Sequence, residues 1–290
     1  MINLPVSGTV TAAMLTDLSW VQVFNPGAIL GNIKHALFDF DGTLSVIRRG
    51  WENIMLPMMV EMICGRMCEP SHDVVQAVAA YIERSTGILT IHQMEWLVEA
   101  VHDYGFTGHM KSAREYKKLY NERLLQPVRQ RISQIGGNQL DQDKLMLKGA
   151  RSFLQLLHDR DVKLYLASGT DHTYVLEETA VLGIQHFFEP HIYGALDDTN
   201  AYSKERIIRR IIKDNILQGE ELAVIGDGPV EIRNAKTHGA LALGVAADED
   251  KRCGFETRKV QRLKDAGADL VISGFEHYNM MVAFLCGSQP

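Results

Sequence analysis

The sequence predicts an α/β protein, a Rossmann-like doubly wound parallel sheet with an all-helical unit inserted early in the chain. Three observations carry this. The stretch HALFDFDGT, residues 35–43, is an apolar run that ends in Asp39 and Asp41 and then an Asp-Gly turn, the pattern of a buried parallel strand stopping at a loop. From about Lys148, short apolar runs alternate with amphipathic ones, as parallel strands joined by crossover helices require. Between the two lies a stretch with helical periodicity only.

Residues 1–32 precede the first core strand as an extension punctuated by Pro5, Gly8, Pro26 and Gly27. Within it WVQVF, residues 20–24, alternates weakly and reads as an extra short strand. The first core strand is expected over Ile33–Phe40. Side chains alternate along a strand, so Asp39 and Asp41 share a face. Two carboxylates that close repel each other and favour a cation or a proton between them.

The helical unit opens with a Met-rich helix from about Trp51 that contains Pro57, followed by helices near 72–84, 90–104 and 109–126. Breaks are expected at Pro70, Gly87, Gly105, Pro127 and Gly136-Gly137. The stripe Met55, Met58, Met59 and Met62 reads as the core of this unit. Then come the helix ARSFLQLLHDR, the strand VKLYLA, the helix HTYVLEETAVLG, the strand HIYG, a helix begun by Lys204, the strand LAVIG, the helix VEIRNAKTHG, the strands LALGV and DLVIS, and a closing helix near 275–286. The expected division is 1–45 for the extension and the first part of the sheet unit, 46–147 for the helical unit, and 148–290 for the rest of the sheet unit.

Composition narrows the function classes. Hydrophobic residues make up 46% of the 290 positions, ample for a packed core. The net charge of −6 and the shortness of basic runs such as RRG at 48–50 argue against a nucleic-acid partner. No apolar run reaches the length of a membrane span, and the N-terminus lacks the basic and apolar regions of a signal peptide. Cys64, Cys68, Cys253 and Cys286 form neither a zinc-ligand nor a disulfide pattern, so reduced thiols and a cytoplasmic location are expected. Nothing in the sequence speaks to oligomeric state.

Four motifs follow one another at expected strand ends: DFDGT at 39–43, LYLASGT with Ser168 and Gly169, YSKERIIRRII with Lys204, and LAVIGDGPVEIRNAK with Asp227 and Glu231. Ligands of such sheets bind beyond the carboxyl ends of the strands, where all four fall. In this set and order the chain resembles the haloacid dehalogenase (HAD) superfamily, in the branch of phosphoglycolate phosphatase and β-phosphoglucomutase. The resemblance implies that the helical unit is a C1-type cap closing over the site. It also implies a phosphatase acting on a small phosphorylated metabolite, with a sugar phosphomutase as the alternative and a non-catalytic regulatory module as a third, less favoured reading.

Under that resemblance Asp39 attacks phosphorus to give an aspartyl phosphate, and Asp41 protonates the leaving oxygen and then activates water. Mg²⁺ is the implied cofactor, held by the Asp39 carboxylate, the Asp41 backbone carbonyl and the Asp227 carboxylate. Glu231 reads either as a residue supporting the metal, directly or through water, or as an acid at a helix N-terminus. Ser168 and the Gly169 amide would bind phosphoryl oxygens, and Lys204 would offset the charge shared by Asp39 and phosphate. Many relatives follow this lysine with Pro or Gly where this chain has Glu205, which leaves Lys213 as the competing candidate. The second acid, Asp41, sets the chain apart from dehalogenase and phosphonatase relatives. Arg48, Arg49 and Glu52 stand where the sheet unit gives way to helices; they read either as substrate contacts, an Arg clamping a second anionic group, or as solvated hinge charges.

Overall fold

The computed structural model describes residues 10–65, 69–104, 111–136, 141–196 and 203–287. Pro5, Gly8, Cys68, Gly105 and Gly137 lie outside the described residues. One seven-stranded sheet organises the chain. Its strands are β2 (Val21–Val23), β4 (His35–Phe38), β5 (Lys163–Asp171), β6 (Ile192–Ala195), β7 (Leu222–Gly226), β8 (Leu241–Val245) and β9 (Leu270–Ile272), in the order β2-β9-β8-β7-β4-β5-β6. All neighbours are parallel except the edge pair β2 and β9. The winding reverses at β4, which has β5 on one side and β7 on the other, so a crevice opens at its carboxyl end.

Full burial on both faces explains the strand sequences. Every residue of β7 and β8 is buried, and both read as unbroken apolar runs. On one face Phe38 meets Phe153 and Phe188 edge-on, each at 6.0 Å between ring centres. On the other, Leu37 and Val224 pack with Ile208 and Ile211 of α7 (Lys204–Asn215). The first core strand is shorter than expected. Ile33 and Lys34 donate to Leu285 and Glu221 rather than to a strand partner, and the Phe40 carbonyl turns back to accept from Leu44 and Ser45.

The extension has a structural role. The expected strand at WVQVF is β2, which lies antiparallel on β9 and covers that edge of the sheet. A small ladder of β1 (Val10–Thr11) with β3 (Ile29–Leu30) accompanies it. Among the described residues four helices fall within the stretch 46–147: α1 (Glu52–Cys64), α2 (His72–Arg84), α3 (Thr90–Asp103) and α4 (Ala113–Gly136). Met55, Met58 and Met59 are buried as expected, with Met62 half-buried against them. Pro127 does not end its helix, contrary to the expected break: α4 continues for nine residues beyond it. A proline inside a helix costs about 3 kcal/mol. Burial of Leu124, Leu125 and Val128 around it, each contributing roughly 1.5–3 kcal/mol, outweighs that cost.

The remaining helices are α5 (Ala150–His158), α6 (His172–Val181), α7, α8 (Pro229–Thr237), α9 (Thr257–Asp265) and α10 (Tyr278–Cys286). Of these, α9 has no counterpart in the sequence reading. Among the described residues Cys64, Cys253 and Cys286 form no disulfide, and no helix is long and apolar enough to cross a membrane.

Candidate active site

The crevice is built from the turn after β4. Asp39 N–H still donates to the Ile225 carbonyl at 2.8 Å, which fixes the first acid between β4 and β7. Gly42 then turns the chain at φ 75°, and a Cβ there would collide with the Asp227 carboxylate. Only glycine permits both the left-handed backbone and that approach. Asp39 and Asp41 line one cavity of about 80 Å³ with Ser168, Gly169 and Asp227.

Asp41 is held from the β5 side. Its Oδ2 accepts from Thr170 Oγ1 at 3.0 Å and Ser168 Oγ at 3.3 Å, while its buried Oδ1 has no hydrogen-bond partner. Ser168 was expected after the strand; here β5 runs on to Asp171 with an irregularity beyond Ala167 that turns Ser168 and Thr170 toward the acid. Burial raises Asp41 above the ordinary carboxylate value, with Arg48 and the two hydroxyls drawing it back.

Lys204 opens α7, whose first turn is capped by Ser203 accepting from the Arg206 N–H. The ammonium is buried and reaches Asp39 Oδ1 at 2.5 Å and Glu231 Oε2 at 3.2 Å. Lys213, the competing candidate, is exposed in the last turn of the same helix. Burial pushes Asp39 well up despite Lys204, because Glu231 and Asp227 add repulsion.

Asp227 directly follows β7, and Glu231 sits in the first turn of α8. Both readings of Glu231 find support: Oε1 accepts from the Gly228 N–H at 2.9 Å as a helix cap, while Oε2 faces the cluster. Ligand oxygens of Asp39, Asp227 and Glu231 all lie within 4.8 Å of one another. An all-oxygen set of this kind fits a hard divalent cation.

Two residues that sequence reasoning missed hold Asp227. Lys259, from α9, reaches Asp227 Oδ2 at 2.8 Å and Glu249 Oε1 at 2.7 Å, and Arg262 one turn on donates to the Asp227 carbonyl at 3.0 Å. Burial opposes the Asp227 charge, yet Lys259 and Arg262 outweigh it and pull the acid below its usual range.

The three hinge residues separate. Arg48 lines the cavity, but it is a buried group and no solvated charge: Nη2 and Nε contact Glu178 Oε1 at 2.6 and 3.0 Å, and Nε stands 3.8 Å from Asp41 Oδ1. Its guanidinium also lies over the Tyr174 ring at 5.5 Å. Burial raises Glu178 to about 7 against the pull of Arg48. Arg49 and Glu52 line a neighbouring groove with Asp250 and Arg258 instead.

Helices α3 and α4, with Trp51 at the start of α1, close the cavity. Trp51, Tyr120, Leu124, Thr90 and Gln93 form its far wall, and the loop Thr86–Ile88 presses on the sheet side. A Cβ at Gly169 would strike the Ile88 carbonyl, and Arg262 Nη1 lies 3.4 Å from Thr86 Oγ1.

Residues 33–239 match the family of haloacid dehalogenase-like hydrolases. The chain belongs to that family. No curated protein matches it in sequence. Among solved structures, the HAD-like hydrolase chain resembles one described as a predicted phosphatase from Clostridium acetobutylicum, at 15% identity and TM-score 0.55 over 87% of this chain and 99% of that one. A β-phosphoglucomutase from Clostridium difficile matches at 15% identity and TM-score 0.55, covering 87% and 99%. A protein described as a predicted phosphoglycolate phosphatase from Haemophilus somnus matches at 13% identity and TM-score 0.53, covering 87% and 98%. At such identities the likeness establishes the shared fold.

Proposed function

We propose that the chain is a Mg²⁺-dependent phosphatase of small phosphorylated metabolites, working through an aspartyl phosphate. The observation that carries this reading is the arrangement of Asp39, with Lys204 on one oxygen and Asp227 and Glu231 beside it, and Asp41 facing the same small cavity. Hydrolysis of a phosphate monoester is so slow that a catalyst must lower its barrier by roughly 20 kcal/mol or more. Dividing the reaction at a covalent intermediate meets part of that need.

With Oδ1 of Asp39 held by Lys204, Oδ2 attacks phosphorus in line with the departing oxygen. Asp41, which faces the same cavity, would give a proton to that oxygen and then remove one from the water that cleaves the acyl phosphate. Ser168 Oγ and the Gly169 amide, from residues lining the same cavity, would bind the phosphoryl oxygens as they gain charge. The Asp39 and Asp227 carboxylates and the Asp41 carbonyl would hold Mg²⁺, with Glu231 in support; the ion would neutralise the approach of carboxylate to phosphate. Helices α1 to α4, in this reading, form a cap over residues 46–147 that excludes bulk water from the acyl phosphate.

The test is phosphate release from a panel of phosphorylated sugars, polyols and nucleotides with Mg²⁺, comparing wild type with Asp39→Asn. Release by the wild type alone, abolished by chelation of the metal, is the expected outcome. Equal release by the variant would sink the nucleophile assignment.

A further inference from the structure

Resting on the phosphatase reading, we infer that the substrate is a phosphate monoester whose organic body is uncharged, bearing hydroxyls and a hydrocarbon face but no second phosphate or carboxylate. The cavity beyond Asp39 and Asp41 is walled by Trp51, Ile88, Thr90, Gln93, Tyr120 and Leu124. None of these is charged at neutral pH. Gln93 and Thr90 offer hydrogen bonds, while Trp51, Tyr120 and Leu124 offer an apolar surface to a carbon chain or ring face.

One cation does line this wall among the described residues, and it is already matched. Arg48 is buried, gripped through two nitrogens by Glu178 at 2.6–3.2 Å, and faces Asp41 Oδ1 at 3.8 Å. A second anion brought into the cavity would meet a guanidinium whose charge two carboxyl groups already share. It would also approach Asp41 itself. An anion buried without a dedicated cation is strongly disfavoured, whereas a hydroxyl loses little.

The cavity that these residues wall stands directly beside the two acids, so an ester body held there would meet this lining. The same charge balance bears on the phosphomutase alternative. Returning the phosphoryl group from Asp39 to a sugar monophosphate creates a bisphosphate, whose second phosphate would occupy this wall with no unmatched cation there among the described residues. Water is then the acceptor that the cavity suits.

Matched pairs test the inference separately from turnover. Glycerol 3-phosphate and 3-phosphoglycerate differ by a hydroxymethyl against a carboxylate; glucose 6-phosphate and 6-phosphogluconate differ mainly by ring against open-chain carboxylate. Calorimetric titration of the full-length Asp39→Asn protein with Mg²⁺ at pH 8 should show the neutral member of at least one pair binding roughly tenfold tighter or more. Equal or tighter binding of the carboxylates, or no binding of either neutral ester, overturns the inference. Glu178→Gln in the same background frees Arg48 and should narrow the ratio severalfold; an unchanged ratio removes Arg48 from the argument and overturns it too. The pairs measured on the Asp39→Asn protein decide the matter even if the Glu178→Gln variant fails to fold. Hydrolysis of acetyl phosphate by the wild type, which has scarcely any body to select, reports on the phosphatase reading alone.

Discussion

Lys204 Nζ lies 2.5 Å from Asp39 Oδ1 and 3.2 Å from Glu231 Oε2, with all three side chains buried. A single ammonium thus bridges the proposed nucleophile and the acid that caps α8. Lys204→Met removes the one cation among the described residues that touches Asp39 and should lower kcat/KM by about 10²–10³, the usual effect of deleting a preorganised charge partner. Lys213→Met, at an exposed position in the last turn of the same helix, should leave activity unchanged. The reverse pattern would transfer the role to Lys213.

Asp41 is fixed by Thr170 and Ser168 hydroxyls on one oxygen, so its carboxyl is already oriented without substrate. Asp41→Asn should keep those contacts and the fold while removing the proton it moves, at a cost of about 10²–10⁴ in rate. The loss should depend on the leaving group. An alkyl phosphate needs that proton, whereas p-nitrophenyl phosphate departs readily as the anion. A loss equal for both substrates would argue that Asp41 acts in some other way.

Lys259 joins Asp227 to Glu249 across a buried interval. Removing one partner of a buried ion pair typically costs about 3–5 kcal/mol, because the other charge is left uncompensated. Lys259→Met should therefore lower metal-free stability by an amount of that order. The pH sense follows from Asp227. Its folded value is depressed below 3.8, so the stabilisation is complete above that pH and is lost as pH falls through the lower folded value. The gap between wild type and variant in urea unfolding should be full at pH 6 and close in strong acid. Mg²⁺ should raise the melting temperature of the variant more than that of wild type, since Asp227 has lost the nearer of the two cations that hold it.

What the sequence could reveal followed from how local each feature is. Asp39, Asp41 and Asp227 stand at the ends of contiguous apolar strings, so strand and turn chemistry placed them at one rim of the sheet. Lys204 was legible because the run from Lys204 to Ile212 shows its helical face directly. Glu178 and Lys259 were not, because their meaning comes from partners 130 and 32 residues away. Helix α9 itself is capped by Glu256, which lies outside the residue types that usually announce a helix start. Pro127 misled for a related reason: a local breaker was overruled by burial that only the packed helices supply.

The contact between Gly169 and the Thr86–Ile88 loop gives a handle on closure. Gly169 follows the Ser168 hydroxyl, and a methyl group there would strike the Ile88 backbone, which has no flexible end to yield. Gly169→Ala should push the loop away from the cavity while the acids, held by β4 and β7, stay in place. The expected result is a KM raised about tenfold or more for an ester such as glycerol 3-phosphate, since the wall formed by the loop moves back. For acetyl phosphate, which scarcely reaches that wall, KM should change much less. Steady-state kinetics on both substrates separates this from damage to the acids, which would lower kcat for the two alike.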